Sequence, residues 1–266
     1  MPAIQLSRLR IQTAQLADLV SQPEAFVRQL HMLLEDYSDR THRPGRSAEP
    51  PPLMPAYNVP TPVLRQILLE IGPHLSNDQP TGLALCDRLW EQEYHECSLL
   101  AARIMGLLPI EPLEPIQLRL LKWLKQNFGP VHRALLEEGF SRWRKEASAS
   151  FLSLLESWLK SSNLQDQSIG LRAMLPLLKD GSFDNLPLLF RLLSPLVQTA
   201  PLQIRPDLLS IIEALARRSP KETAYFLREN LFAQDTAWVT RQILTVFPDE
   251  IQKNLRVSMK NPRSLI

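Results

Sequence analysis

The densest group of cationic side chains in the sequence surrounds Trp143. Arg142, Arg144 and Lys145 flank this tryptophan within four consecutive positions. Guanidinium and ammonium groups pair with nucleic-acid phosphates, and an indole can pack or stack beside them. The same cations are also typical of a solvated helix end, where positive charge complements the helix dipole. The pattern is compatible with both interpretations.

Four further cations could extend a phosphate-binding surface. All four precede the cluster in the sequence, and one of them, Arg65, follows a predicted helix start, where anions bind readily. Since the formal net charge is only +2, a basic face requires segregation of charge rather than an excess of it. We predict contacts with the DNA backbone at Arg65, Lys122, Lys125, Arg133, Arg142, Arg144 and Lys145.

The other reactive side chains do not match the spacing of a known metal or nucleophile site. His95 lies among three glutamates and Cys97, but no H-E-x-x-H motif is present. Neighbours one or two positions apart face different directions on a helix. Neither a G-x-S-x-G motif nor a glycine-rich phosphate loop occurs. We therefore predict no metal and no cofactor, and these motifs identify no catalytic residue.

The elements that must position these side chains are helices. Leucines at 188, 189, 192, 193 and 196 form a one-faced stripe, and similar stripes recur along the chain. With 23 prolines but 8 glycines, the chain has too few glycines for a nucleotide-binding α/β fold, a sandwich or a barrel. Helix pairs roughly every 30 to 40 residues predict an all-α, HEAT- or armadillo-like α-solenoid. An irregular helical bundle is the alternative.

Prolines and caps predict where several of the helices begin. Pro62 reads as the first helical residue after a Thr61 cap. Ser219 and Glu222 have the spacing of a capping box, in which the Ser219 hydroxyl accepts a hydrogen bond from the Glu222 amide. The apolar pattern over residues 130–143 predicts one continuous helix.

A proline-rich segment divides the chain. Residues 44–60 contain the run Pro50-Pro51-Pro52 and cannot form a helix. We expect a helical pair over residues 1–43, a linker over 44–60 and a HEAT-like repeat domain over 61–266. No apolar run of about 18 residues predicts a membrane span. Two cysteines without a C-x-x-C partner favour a cytoplasmic setting, and we expect a monomer.

Four ordered stretches between residues 57 and 247 resemble the AlkD family of HEAT-like DNA alkylation repair glycosylases. They are Asn58–Arg65, Arg88–Met105, Trp158–Asn163 and Ala214–Asn230. The resemblance implies an α-superhelix that cradles duplex DNA on its concave face. It also implies removal of positively charged alkylated purines.

The resemblance also marks departures from the family pattern. The family's catalytic segment pairs tryptophans with a carboxylate at the start of a middle helix. Here that segment is Phe128–Arg133, with Gly129 near the tryptophan position and Arg133 near the carboxylate position. A second family tryptophan corresponds to about Ser210, and a DNA-contacting arginine to a position near Ser168.

The missing carboxylate matters because loss of a cationic base develops positive charge on the sugar. A carboxylate stabilises that charge, whereas His132 and Arg133 would repel a cation. Glu137 and Glu138 could substitute, or they could form a solvated helix face. The leading interpretation is a DNA-binding protein similar to this family, with its base-excision activity in question. The alternatives are a protein-interaction scaffold without a DNA role and a glycosylase with a rearranged site.

Overall fold

The computed structural model describes residues 5–39, 54–126, 129–181 and 183–260. All regular secondary structure in these ranges is helical, and no strand occurs there. The predicted all-α class is therefore confirmed. The chain divides into two compact units, residues 1–148 and 149–266. Residues 44–53 of the proline-rich segment lie outside the described ranges, and residues 54–60 are not helical.

The described part of the first unit consists of short helices and one π-helical turn. The helices are α1 (Leu6–Ala17), α2 (Pro23–Asp36), α3 (Thr61–Leu75), α4 (Gln79–Trp90), α5 (His95–Met105), α6 (Leu113–Gln126), α7 (Pro130–Ala134) and α8 (Ser141–Glu146), and the π turn is Leu135–Gly139.

Helix α5 lies at the centre of this unit. It packs against α3, α4, α7 and the π turn. Leu100, Ala101 and Ile104 are completely buried on it. Burying a leucine or isoleucine side chain contributes about 1.5–3 kcal/mol relative to leaving it exposed. The packing of α5 therefore holds α3 and α7, two of the helices that carry predicted cations, and the π turn against which α6 and α8 pack.

The prediction of one continuous helix over residues 130–143 is wrong. The π turn interrupts it, and the amide of Phe140 donates to the carbonyl five residues earlier, at 3.0 Å. The cause is a close backbone approach in the tertiary structure: a Cβ atom on Gly106 would lie 2.0 Å from the carbonyl oxygen of Glu138. Only glycine at position 106 lets the end of α5 meet the π turn.

The two predicted helix starts differ in detail from the structure. Helix α3 begins at Thr61 rather than Pro62, and no side chain caps it. At α13 (Pro220–Glu229) the Ser219 hydroxyl donates to the Glu222 carboxylate instead of accepting from the Glu222 amide. The predicted capping hydrogen bond is therefore wrong, because the carboxylate is the stronger acceptor for that hydroxyl. Ser219 is nevertheless the N-cap residue, and Pro220 is the first residue of the helix.

The second unit, described without residue 182 and residues 261–266, is also helical. Its helices are α9 (Ser148–Lys160), α10 (Leu164–Lys179), α11 (Leu186–Thr199), α12 (Arg205–Arg218), α13, α14 (Gln234–Ile243) and α15 (Asp249–Lys260), with 3-10 turns at Leu202–Ile204 and Leu244–Val246.

Helix α12 is the most central helix of the second unit. It packs against α10, α13 and α14. The predicted leucine stripe is buried on α11 at Leu189, Leu192, Leu193 and Leu196. Among the described residues, no helix is both long enough and apolar enough to cross a membrane.

Candidate nucleic-acid interface

The seven predicted cations all lie in the first unit, where they form two groups. Two of them, Arg142 and Arg144, are half-buried on α8. The other five have exposed side chains. These are Arg65 on α3, Lys122 and Lys125 on α6, Arg133 on α7 and Lys145 on α8.

Arg142 fastens α8 to the ends of neighbouring helices. Its Nε pairs with Glu146 at 2.6 Å, and its Nη1 donates to the Leu107 carbonyl at 2.8 Å. The same nitrogen lies 3.5 Å from the carbonyl of Ser76, the C-cap residue directly after α3. Carbonyls at helix ends lack partners within their own helix. Most of the hydrogen-bonding capacity of Arg142 is therefore used inside the unit.

Arg144 also donates hydrogen bonds to backbone carbonyls, in this case those of the π turn. Its two terminal nitrogens donate to the carbonyls of Leu136 and Glu137, each at 2.6 Å. Between the two arginines, Trp143 is buried and stacks on Phe140 with ring centroids 5.4 Å apart. The indole is therefore a core side chain and not an exposed platform for a base.

Helix α6 carries two exposed lysines, and its contacts with α4 fix its position. Arg119 binds Asp87 on α4 through two hydrogen bonds of 2.8 and 2.6 Å. The hydrogen bond to Asp87 raises the pKa of Arg119. Trp90 and Trp123 stack between the same two helices at 4.2 Å. The charge of Arg119 is balanced by Asp87. The two remaining cations of α6, the predicted Lys122 and Lys125, are exposed.

The start of α7 is the place where the family resemblance puts the catalytic segment. Residues 127–128 lie outside the described ranges. Gly129 has φ = 83°, a conformation that suits glycine, and Pro130 is the first residue of the helix. His132 is buried and Arg133 is exposed. The side chain that α7 turns to solvent at this point is a cation.

The two glutamates that could substitute for the missing carboxylate lie in the π turn. Glu138 pairs with Arg103 of α5 at 3.0 Å, and its side chain is 47% exposed. The backbone carbonyl of Glu137 accepts from Arg144. The ion pair leaves Glu138 with its negative charge balanced by Arg103.

A buried carboxylate whose role no local sequence pattern indicates positions the start of α3. Glu96 is 2% exposed and accepts hydrogen bonds from the amides of Tyr57 at 3.0 Å and Asn58 at 2.7 Å. Asn58 has φ = 55°. These bonds hold the residues before α3 against α5. Arg65 lies in the first turns of α3, so Glu96 sets where that cation is presented.

An aromatic cluster supports the same junction. Tyr57 and Tyr94 stack at 5.1 Å, and the Tyr57 hydroxyl lies 2.8 Å from Nδ1 of His31. Burial, reinforced by neighbouring Tyr94, raises the pKa of Tyr57 to about 12. The phenol therefore stays neutral at ordinary pH. Within the described residues, no group of three side chains could hold a metal ion.

In the second unit, Ser168 and Ser210 are the positions where the resemblance expects an arginine and a tryptophan. Ser168 donates to the carboxylate of Asp207, which also accepts from Nε of Arg172 at 2.8 Å. Ser210 is exposed and donates to the carbonyl of Pro206 at 2.9 Å. Arg172, one turn after Ser168 on α10, is the nearest cation on that helix. Its guanidinium is paired with Asp207 of α12.

A comparison with known families agrees with the resemblance. The family described as DNA alkylation repair enzyme matches residues 33–242, more than three quarters of the chain. No curated protein and no solved structure matched the chain. The matched range covers most of the first unit and most of the second. The chain therefore belongs to the DNA alkylation repair enzyme family.

Proposed function

We propose that this protein binds duplex DNA through the exposed cations of its first unit and does not excise bases by a carboxylate at the start of α7. The observation that carries this proposal is the exposure of four predicted cations, Arg65, Lys122, Lys125 and Lys145. Each of these four can approach a phosphate without breaking the hydrogen bonds and ion pairs described for the unit. Arg133 is exposed as well.

The rigid contacts beneath these cations support the proposal. Arg142 and Arg144 hold α8, the Asp87–Arg119 pair holds α6, and Glu96 holds the start of α3. Contacts to phosphate position a protein on DNA without reading its sequence. We accordingly propose recognition by backbone and shape. Helix pairs such as α4 and α5, which pack closely, are proposed to be HEAT-like repeats.

The chemistry at α7 supports the second half of the proposal. Positive charge that develops on the sugar needs a nearby negative group. The exposed residue of α7 at the expected place is Arg133, and the nearby Glu138 is paired with Arg103. A cation at that place disfavours the transition state.

Binding of a fluorescently labelled duplex, followed by anisotropy at several salt concentrations, tests the DNA role. The double variant Lys122→Ala/Lys125→Ala should bind more weakly, and the slope of log affinity against log salt should fall by about 0.9 for each lost phosphate contact. The exposed Lys253 of α15 provides a matched control, Lys253→Ala. Salt-independent binding, or an equal loss in the control, contradicts the proposal.

Release of methylated purine from alkylated DNA tests the excision claim separately. We expect no release above the rate without protein. Release by the unmodified protein that disappears in the Glu137→Ala/Glu138→Ala variant would instead establish a glycosylase with a rearranged site. The duplex-binding result does not depend on this outcome.

A further inference from the structure

A small hollow lies between α13 and α15 in the second unit, where these two helices pack against each other. Its volume is about 260 Å³, which is less than the roughly 300–1,000 Å³ of a site for a drug-sized molecule. The lining residues recur at intervals of three and four positions, so each helix turns one face towards the hollow. The apolar part of the lining consists of Ala224, Ile251 and Leu255. The hollow therefore suits a small ligand.

Four polar side chains complete the lining of the hollow. They are Lys221 and Arg228 on α13, and Glu250 and Asn254 on α15. Within the ranges that the structure describes, none of these four side chains has a hydrogen bond or an ion pair. Their donors and acceptors are therefore available to a ligand, because binding one breaks no hydrogen bond described for the unit.

Arg228 is the side chain that most needs a ligand. It is half-buried, and its Nε is buried without a hydrogen-bond partner in the described part of the chain. The guanidinium carbon lies 5.8 Å from the centroid of the Tyr225 ring, which is a face contact and not a hydrogen bond. A buried donor without an acceptor is costly, and a bound ion or water commonly explains one in a folded protein. An anion in the hollow provides the guanidinium with an acceptor.

The charges of the lining favour an anion. Lys221 and Arg228 are cations, and Glu250 is the one carboxylate among the lining residues. The carboxylates next to these cations in the chain, Glu222 and Glu229, line a wider groove between α11 and α13 instead. Lys221 lines that groove as well, so its charge is shared between the two sides of α13. Arg228 is therefore the principal cation of the hollow.

We propose that this hollow binds the phosphate group of a phosphomonoester. The guanidinium of Arg228 can donate two parallel hydrogen bonds to phosphate oxygens, and the Lys221 ammonium adds a compact positive charge. The side-chain amide of Asn254 can donate to a third oxygen. A terminal phosphate has three such oxygens, whereas a carboxylate or the phosphodiester of a nucleic-acid backbone has two. This site goes beyond the duplex binding proposed above, which concerns the first unit.

Calorimetric titration of the full-length chain with glycerol 2-phosphate tests the proposal, with glycerol as the uncharged counterpart and the ionic strength held constant. Glycerol 2-phosphate should bind, and glycerol should not. Arg228→Gln should bind the phosphate compound at least about tenfold more weakly, because charge-assisted hydrogen bonds are lost. Glu250→Gln should bind it several-fold more tightly, because a like charge is removed from the site.

Two controls separate loss of the site from other effects. Arg241→Gln removes an exposed cation of α14 that does not line the hollow, and it should leave the affinity for glycerol 2-phosphate unchanged. Without ligand, Arg228→Gln should unfold at the same temperature as the unmodified chain or at a higher one. The reason is that this variant removes a buried nitrogen that has no partner in the described part of the chain.

A short oligonucleotide, with and without a 5′-phosphate, distinguishes the two sources of such a phosphate group. Competition with glycerol 2-phosphate by the phosphorylated strand alone identifies the end of a nucleic acid, and competition by neither strand identifies a free small phosphomonoester. The proposal is overturned if glycerol 2-phosphate does not bind, or if both strands compete equally. It is also overturned if Arg228→Gln binds as well as Arg241→Gln, if Arg228→Gln unfolds at a lower temperature, or if Glu250→Gln weakens binding.

Discussion

The amide of Asn58 donates a 2.7 Å hydrogen bond to the buried carboxylate of Glu96, 38 residues further along the chain. This contact joins the segment before α3 to the centre of the first unit. The same carboxylate also accepts from the amide of Tyr57. The Glu96 side chain therefore accepts hydrogen bonds from two backbone amides that have no partner in a helix.

Replacing Glu96 should cost more stability than replacing any exposed glutamate. Glu96→Ala leaves the part-buried amides of Tyr57 and Asn58 without an acceptor, and we expect a loss of about 1–3 kcal/mol in the free energy of unfolding. Urea denaturation followed by circular dichroism measures it. Glu91→Ala is the matched control, since Glu91 is exposed and pairs with Arg88 at the surface, a pair that contributes under about 1 kcal/mol. Equal losses in the two variants would contradict the assigned role.

Gly106 and Gly181 should respond in opposite directions to alanine. A Cβ at 106 would lie 2.0 Å from the carbonyl oxygen of Glu138, whereas one at 181 meets nothing within 4 Å. We expect Gly106→Ala to lower the free energy of unfolding by about 1–3 kcal/mol or more. Gly181→Ala should be neutral or should stabilise by up to about 1 kcal/mol, because alanine restricts the unfolded chain. Thermal unfolding of both variants decides this, and a harmless Gly106→Ala would show that the π turn is not closely packed on α5.

Arg142 and Lys145 lie on the same short helix but should behave differently. Arg142→Ala removes hydrogen bonds to Leu107 and Glu146, and we expect a loss of stability of about 1–3 kcal/mol. Lys145→Ala should leave unfolding within about 0.5 kcal/mol of the parent, as exposed positions usually do. It should nevertheless weaken duplex binding. Urea denaturation and anisotropy on the same samples separate the two effects, and a destabilising Lys145→Ala would refute the division into structural and exposed cations.

The two thiols should be unreactive in the native state. Cys86 and Cys97 are both buried, and burial raises the pKa of Cys97 to about 12. The fold favours the neutral thiol. This contribution to stability is therefore complete below the ordinary pKa of 9.0 and is lost as the pH rises towards about 12.

A thiol-reactive chromophore at pH 8 checks this expectation. Native protein should react slowly, and unfolded protein should show both thiols at once, because only the thiolate attacks and only unfolding exposes it. The variant Ser162→Cys places a thiol at an exposed position and should react rapidly without denaturant. Fast reaction of the unmodified native chain would mean that the α4–α5 packing opens readily.

The sequence alone determined the helices and much of the core. The leucine stripe of α11 is buried at four of its five positions, because a helix repeats every 3.6 residues and apolar side chains on one face must be covered. The resemblance to the family was also accessible, since it rests on short ordered stretches of sequence, and the family match over residues 33–242 agrees with it.

Only the tertiary structure decided how the cations divide and where the helix over 130–143 breaks. Arg142 and Lys145 belong to one cationic cluster of the sequence, yet Arg142 also donates to a carbonyl 35 residues away. The π turn depends on the approach of Gly106, and the role of Glu96 depends on amides far along the chain. A backbone group becomes an available partner only when packing leaves it without one, and local sequence patterns carry no information about that packing.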